Sequence, residues 1–303
     1  MLELEPFVLR RVLALRQFPI FASAELAELA GLAENVSEAR FAEGAAIADA
    51  GSRLPAMHLV IDGAIASPTR GTAWGPRQVF GVLEVLARRE LAAPAYALRP
   101  TRTLQLFDAD VTEVLDENLS VLRATLRDLS AQMVSLQIRQ QVTITTPRGG
   151  TLGFVDRLYV LRQLAPFAGV RLDALAMLAH ACEEVVFPEG SIIARVGEPA
   201  SASYVIVDGE LRASYTDGGV VSLGPGEVVA PFETLAEVGH ASTLEATRRL
   251  HVLRNSATAI FDVIEDHTEL GLAMIKTFAA QLLDSEDLAR RAASLRGMRT
   301  LRS

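Results

Sequence analysis

The chain has one cysteine, one tryptophan and no apolar run near the roughly 20 residues that a membrane helix needs. Each shortage excludes something. Cys182 alone makes no internal disulfide, and no Cys/His cluster offers a structural zinc site. The opening residues Met1 to Pro6 are acidic where a secretory signal would be basic and then apolar. Lys276 is the only lysine among 29 basic residues, which reads as the codon bias of a GC-rich, bacterial genome. What is present is apolar: half of the 303 residues are hydrophobic at a net charge of −8, which excludes a disordered chain. The expectation is a soluble, cytoplasmic protein.

Single cores stop growing near roughly 250–300 residues, so two domains are the default. Charge is unevenly placed. Arg290, Arg291, Arg296, Arg299 and Arg302 fall within 288–303 with no acid, leaving the rest of the chain at −13. A body that acidic does not suit a nucleic-acid surface.

The sequence repeats itself. Leu15-Arg16-Gln17-Phe18-Pro19-Ile20-Phe21 matches Leu161-Arg162-Gln163-Leu164-Ala165-Pro166-Phe167 at an offset of 146. The same offset aligns Phe41-Ala42-Glu43-Gly44 with Phe187-Pro188-Glu189-Gly190, and Met57 to Gly63 with Ser203 to Gly209. A shift of three then aligns Gly75-Pro76 with Gly224-Pro225. Four blocks in order read as a tandem duplication. Each copy runs from a short helical pattern (24–36, 172–185) through short apolar runs to a long helical pattern, about 111–140 and 257–283. Asp62-Gly63 and Asp208-Gly209 follow Val/Ile-rich runs and predict type I′ hairpins. The expected domains are 1–141 and 152–287, joined by a linker at 142–151 rich in Thr, Gly and Pro, with an arginine-rich tail at 288–303.

In order and spacing these elements resemble the cyclic nucleotide-binding domain, the sensor fold of the catabolite activator protein and of protein kinase A regulatory subunits. The features are Phe-x-Glu-Gly before the first strands, the apolar run ending in Asp-Gly, and Gly224-Pro225-Gly226-Glu227. The resemblance implies a mainly β fold with flanking helices: two tandem antiparallel β-barrels of the double-stranded β-helix or jelly-roll kind, each closed by a long C-terminal helix.

It also implies a phosphate cassette of the pattern Phe-Gly-Glu-x-Ala-Leu-Leu, a short loop, then Pro-Arg-x-Ala-Thr. Copy one reads Phe80-Gly81-Val82-Leu83-Glu84-Val85-Leu86 and then Glu90-Leu91-Ala92-Ala93-Pro94. Copy two reads Val229-Ala230-Pro231-Phe232-Glu233-Thr234-Leu235 and then Gly239-His240-Ala241-Ser242-Thr243. The glutamate that would take the ribose hydroxyl is Val82 or Pro231, and the arginine that would neutralise the phosphate is Leu91 or His240. Losing two charge-assisted hydrogen bonds costs roughly 3–6 kcal/mol, or about 10²- to 10⁴-fold in affinity. Usual cAMP or cGMP binding is therefore not expected. Arg88 and Arg89 lie nearby but too early in the cassette. His240, with Ser242 and Thr243, is either a weak anion site when protonated or a polar loop residue. Glu84 and Glu233 recur where the pattern has alanine, through shared ancestry, a buried hydrogen bond or a different ligand.

No catalytic set, cofactor motif or metal site is expected: the five histidines (58, 180, 240, 251, 267) lack ligand spacing, and Cys182 sits in an apolar helical stretch. About twenty residues follow Leu283, too few for a helix-turn-helix, so DNA binding is not expected. The tail is left as a docking segment, a nucleic-acid contact or a frayed terminus. Leu115, Leu119, Leu122, Leu126, Leu129, Met133 and Leu136 alternate spacings of four and three, the seam of a coiled coil. That seam predicts a homodimer or protein-partner contact, with packing on the chain's own core as the competing use. The sequence thus predicts a non-enzymatic regulatory or scaffolding protein, with a sensor for another nucleotide or small anion in copy two as the alternative.

Overall fold

A computed structural model describes residues 6–21, 24–138, 145 and 151–300, with side chains from 7 to 289 within those ranges. The linker expected at 142–151 lies almost wholly outside the described residues, as do the side chains of the arginine-rich tail from 290 onward. Two compact units are present, one made of 1–125 with 275–303 and the other of 126–274. These bounds cut across both long helical patterns.

The first unit contains α1 (Pro6–Leu15), a 3-10 turn (Pro19–Phe21), α2 (Leu26–Asn35), β1 (Ser37–Phe41), β2 (Ala46–Ala48), β3 (Ala56–Ser67), β4 (Thr72–Trp74) and β5 (Val79–Phe80). It continues with α3 (Val82–Ala87), β6 (Ala95–Phe107), α4 (Asp108–Glu117) and the start of α5 (Leu119–Ser135). The second holds α6 (Phe154–Arg162), a 3-10 turn (Ala165–Phe167), α7 (Leu172–Ala181), β7 (Glu183–Phe187), β8 (Ile192–Ala194), β9 (Ala202–Asp208), β10 (Leu211–Tyr215), β11 (Val220–Leu223) and β12 (Val228–Val229). After these come α8 (Pro231–Ala236), β13 (Ser242–Ala246), β14 (Leu250–Ser256), α9 (Ala257–Asp266) and the start of α10 (Thr268–Thr300). Helices α1 and α6 precede the helices expected to open each copy. Side-chain caps fix several starts: the Glu25 N–H donates to Glu28 Oε2 (2.6 Å), and the Ala259 N–H to Ser256 Oγ (3.1 Å).

The fold is mainly β with helices, but the ladders stay open and do not close into barrels. In the first unit β1-β6-β3-β4 form one antiparallel path, with β2 on β6 and β5 on β3. In the second unit there are two four-stranded sheets, β11-β10-β13-β8 and β12-β9-β14-β7. Ile206, Val252 and Leu250 of one sheet share a buried cluster with Leu211, Ala213 and Leu244 of the other.

The two Asp-Gly pairs do not make hairpins. Asp62-Gly63 lies inside the continuous strand β3, where its register with β6 slips, and Asp208-Gly209 carries the chain from β9 in one sheet to β10 in the other. Both glycines have positive φ, 88° and 95°. A Cβ on Gly63 would stand 2.5 Å from Pro100 O, and one on Gly209 would overlap Arg249 O and stand 2.8 Å from Leu250 Cα. Here glycine serves a close backbone approach at a strand corner.

The closing helices also differ from expectation. Each is interrupted by one non-helical residue: Asn118 (φ −121°, ψ 89°) divides α4 from α5, and His267 (φ −139°, ψ 74°) divides α9 from α10. Of the expected dimer seam, Leu115 lies in α4, and Leu119, Leu122, Leu126, Leu129 and Met133 lie in α5. Leu115, Leu122, Leu126, Leu129 and Met133 are buried in the single chain, Leu119 is half-buried, and Leu136 is exposed beyond the end of α5. Five of the seven stripe residues are therefore packed within the chain, the competing use of the stripe. Cys182 is buried as well, its Sγ donating to Asn255 Oδ1 at 2.7 Å, and burial pushes its thiol pKa up to about 12.

Gly209→Ala is expected to cost about 2–5 kcal/mol, combining a left-handed backbone with overlap against a neighbouring strand. Gly190→Ala, also at positive φ but facing open space, should cost only about 1 kcal/mol. Urea denaturation of both variants checks this, and equal losses would refute the close-approach account.

Candidate functional site

Both cassettes keep the same backbone. In copy one β5 is followed by Gly81 in the left-handed region, the six-residue α3 and a second left-handed residue, Arg88. In copy two β12 is followed by Ala230 (φ 53°), the six-residue α8 and Glu237 (φ 55°). Ala230 adopts without glycine a conformation that costs a residue with a Cβ about 1–3 kcal/mol. The C-terminal cap is the same in each: the Arg88 N–H donates to Val85 O, and the Glu237 N–H to Thr234 O. The two segments thus share a backbone geometry although their side chains differ.

In the first unit that chemistry is internal. Glu84, on α3, is 5% exposed, and its Oε1 accepts from Arg70 Nη1 at 2.6 Å. Arg70 reaches Glu286 of α10 through Nη2 at 3.2 Å, so one buried guanidinium bridges two carboxylates. Arg89 pairs with Asp284 at 2.5 Å, and Arg88 donates to Thr112 Oγ1 at 3.3 Å. Ala87 packs with Ala279 and Leu283 of α10. Leu91, at the arginine position, is completely buried, while Ala92 is exposed. Of the residues expected at this site, Glu84 and Leu91 face inward and Ala92 does not. Arg70 and Glu286 were missed; Arg70 lies in a Thr-Arg-Gly loop after β3, and nothing local marks it as a partner of α3.

Next to this cassette, His58 of β3 pairs across the sheet with Phe80. The His58 ring lies 5.7 Å from Phe41 and 6.0 Å from Phe80, and Nδ1 is 3.2 Å from Thr103 Oγ1. Burial among these groups lowers its pKa to about 4.

The second unit has a cavity beside its cassette helix. A cavity of about 440 Å³ lies between α8, β10, β11 and β13 and the C-terminal end of α5, where Val134, Ser135, Gln137 and Ile138 form one wall. It brings together Glu233, His240 and Ser242. Thr243 takes no part: its hydroxyl accepts from the Val196 N–H at 3.2 Å. Burial raises the pKa of Glu233, opposed by hydrogen bonds from the Glu233 and Ala241 backbone N–H groups. Burial also lowers that of His240, against a smaller opposing effect of Glu198. Asp217, Glu227, Tyr215 and Phe232, missed in the sequence, also line it. No arginine or lysine is among the described residues that line it. Arg127 of α5 is turned instead to an ion pair with Glu237 at the end of α8.

One group of metal-ligand type occurs among the described residues. Asp173, His267 and Glu269 bring ligand atoms within 4.8 Å of one another, but the Arg171 guanidinium already holds Asp173 at 2.7 Å. No helix among the described residues is long and apolar enough to cross a membrane.

Residues 184–267 match the family model described as "Cyclic nucleotide-binding domain". Lysophospholipase nte1 of Neurospora crassa is 27% identical over 113 residues, covering 36% of this chain and 8% of that protein. The chain thus spans under a tenth of the length of that curated relative. The regulatory subunit of a cAMP-independent protein kinase A from Trypanosoma brucei is 15% identical, covering 88% of this chain and 90% of that one at a TM-score of 0.37. The N-terminal domain of a transcriptional regulator from Streptomyces coelicolor A3(2) is 21% identical over 43% of this chain and 94% of that one, at a TM-score of 0.40.

Two outcomes follow from the first unit. Arg70→Ala leaves Glu84 buried and unpaired and should cost about 3–5 kcal/mol, whereas Glu84→Ala leaves Arg70 its contact with Glu286 and should cost less. Chemical denaturation of the two variants checks the order, and the reverse order would refute it. The second concerns pH. The folded chain keeps His58 neutral down to about pH 4, while the unfolded chain takes up that proton near 6.5. Its contribution to stability is therefore complete above about pH 6.5 and is lost as pH falls toward 4, by about 3 kcal/mol. The stability difference between the natural chain and His58→Gln should change by that order across the window; a constant difference would contradict it.

Proposed function

We propose that the chain is a non-enzymatic regulatory or scaffolding protein built from two cyclic nucleotide-binding-like domains, bounded near 1–141 and 152–287, that do not take cAMP or cGMP in the usual way. The observation that carries this reading is the replacement of the phosphate-neutralising arginine. Leu91 at that position is fully buried in copy one, and His240 in copy two is buried with its charged form disfavoured. Each cassette also contributes a carboxylate of its own, Glu84 or Glu233, which repels a phosphate in a poorly hydrated site. In copy one the nearby cation, Arg70, is consumed by that carboxylate and by Glu286.

The same chemistry argues against the small-anion reading of copy two and leaves a sensor of some other ligand as the second possibility, favoured by the cavity. Assembly with a protein partner belongs to this reading. With the α5 stripe buried, the arginine-rich segment 288–303 is the better candidate for contact, its charge suited to an acidic partner surface. The similarity to a lysophospholipase covers too little of that enzyme to bring its activity here.

Calorimetric titration of the full chain with cAMP and cGMP tests the proposal. No saturable heat is expected up to millimolar ligand. Binding tighter than about 10 μM, some 7 kcal/mol, would overturn it.

A further inference from the structure

The second unit's cavity contains polar groups that the fold leaves unused. His240 and Ser242 are each 6% exposed, both line the cavity, and neither side chain has a hydrogen-bond partner among the described residues. Buried polar side chains are almost always satisfied by protein, by ordered water or by a ligand that displaces it. These two face a space of about 440 Å³, within the range of small-molecule sites. Part of the surrounding wall is apolar or aromatic, from Ile138, Tyr215, Val229, Phe232 and Leu244.

Charge narrows the class of occupant. The carboxylates of Glu233, Asp217 and Glu227 line the cavity without any opposing arginine or lysine among the described lining residues. Glu227 accepts from the Gly224 N–H at 2.6 Å and Asp217 from the Gly219 N–H at 2.8 Å, so both are held in place by turns of the backbone. An entering anion would exchange water for three fixed carboxylates. An ammonium or N–H donor would exchange it for acceptors already oriented.

We propose that this cavity binds a small aromatic amine, its nitrogen against Glu233 and its remaining polar group against His240 and Ser242. The inference rests on the reading above that the cassette does not hold a cyclic phosphate, and it supplies the ligand class that reading leaves open.

A matched series separates charge from shape: tyramine, tyrosol and 4-hydroxyphenylacetate share a ring and differ in ending as amine, alcohol and carboxylate. Saturation-transfer NMR and calorimetry on the full chain, with cAMP as a further arm, give the readout. Tyramine should saturate and bind at least about tenfold more tightly than the acid, a difference of about 1.4 kcal/mol. Glu233→Gln should bring amine and acid to within about threefold, and His240→Ala with Ser242→Ala should weaken tyramine and tyrosol alike. Thermal midpoints establish that the variants are folded; where one is not, the amine-to-acid ratio on the natural chain decides alone. Equal binding of amine and acid, or no saturation by tyramine below about 10 mM (about 2.7 kcal/mol), overturns the proposal. Failure of tyramine without cAMP binding defeats this inference only, whereas tight cAMP binding defeats the functional reading with it.

Discussion

Within the first unit, a carboxylate in nearly dry protein constrains everything around it. Glu84 cannot sit at 5% exposure as a lone charge, because desolvation would cost several kcal/mol. Arg70 makes the position tolerable, and the same guanidinium reaches Glu286, which ties α10 to the cassette. Leu91 is buried beside them as a plain apolar residue. Arg89 and Asp284, with the Ala87, Ala279 and Leu283 contact, extend the same attachment. A place that could have received a ligand's negative charge is filled by the chain's own.

Copy two meets the same carboxylate differently. Glu233 has backbone N–H donors in place of an arginine, and a cavity of about 440 Å³ lies beside it among the described residues. Equal cassette backbones, left-handed residues at both ends of a six-residue helix, thus support one filled site and one open site. The backbone is maintained by sheet register and local turns, while occupancy depends on side chains from distant segments. Fold and ligand chemistry vary separately here, which is why a resemblance of fold carries little information about what is bound.

Much of the element order was readable in the residues. The repeated Phe-x-Glu-Gly and Asp-Gly blocks each put a glycine at positive φ, and the cassettes align without a gap onto α3 and α8. The errors have physical causes. Asp-Gly favours a tight hairpin locally, but at Gly63 and Gly209 a neighbouring strand lies too close for a Cβ, so glycine was needed for a corner. The α5 leucines have coiled-coil spacing, and that spacing is equally satisfied by burial inside one chain. A single residue breaks each closing helix, at Asn118 and His267, without the proline or glycine that would have marked the break.

The sequence alone determined the recurring blocks, the apolar periodicities and the leucine and histidine at positions 91 and 240, because these depend on residue identity and spacing along the chain. Only the tertiary structure decided where Glu84 finds its cation, since Arg70 and Glu286 are 14 and 202 positions away in sequence and meet it only after folding. It also decided that His240 and Ser242 face a cavity while Thr243 binds the backbone, a choice made by side-chain direction along β13 and its approach. Periodicity reports which residues share a face; whether that face meets protein, solvent or an unfilled space depends on packing between segments remote in sequence.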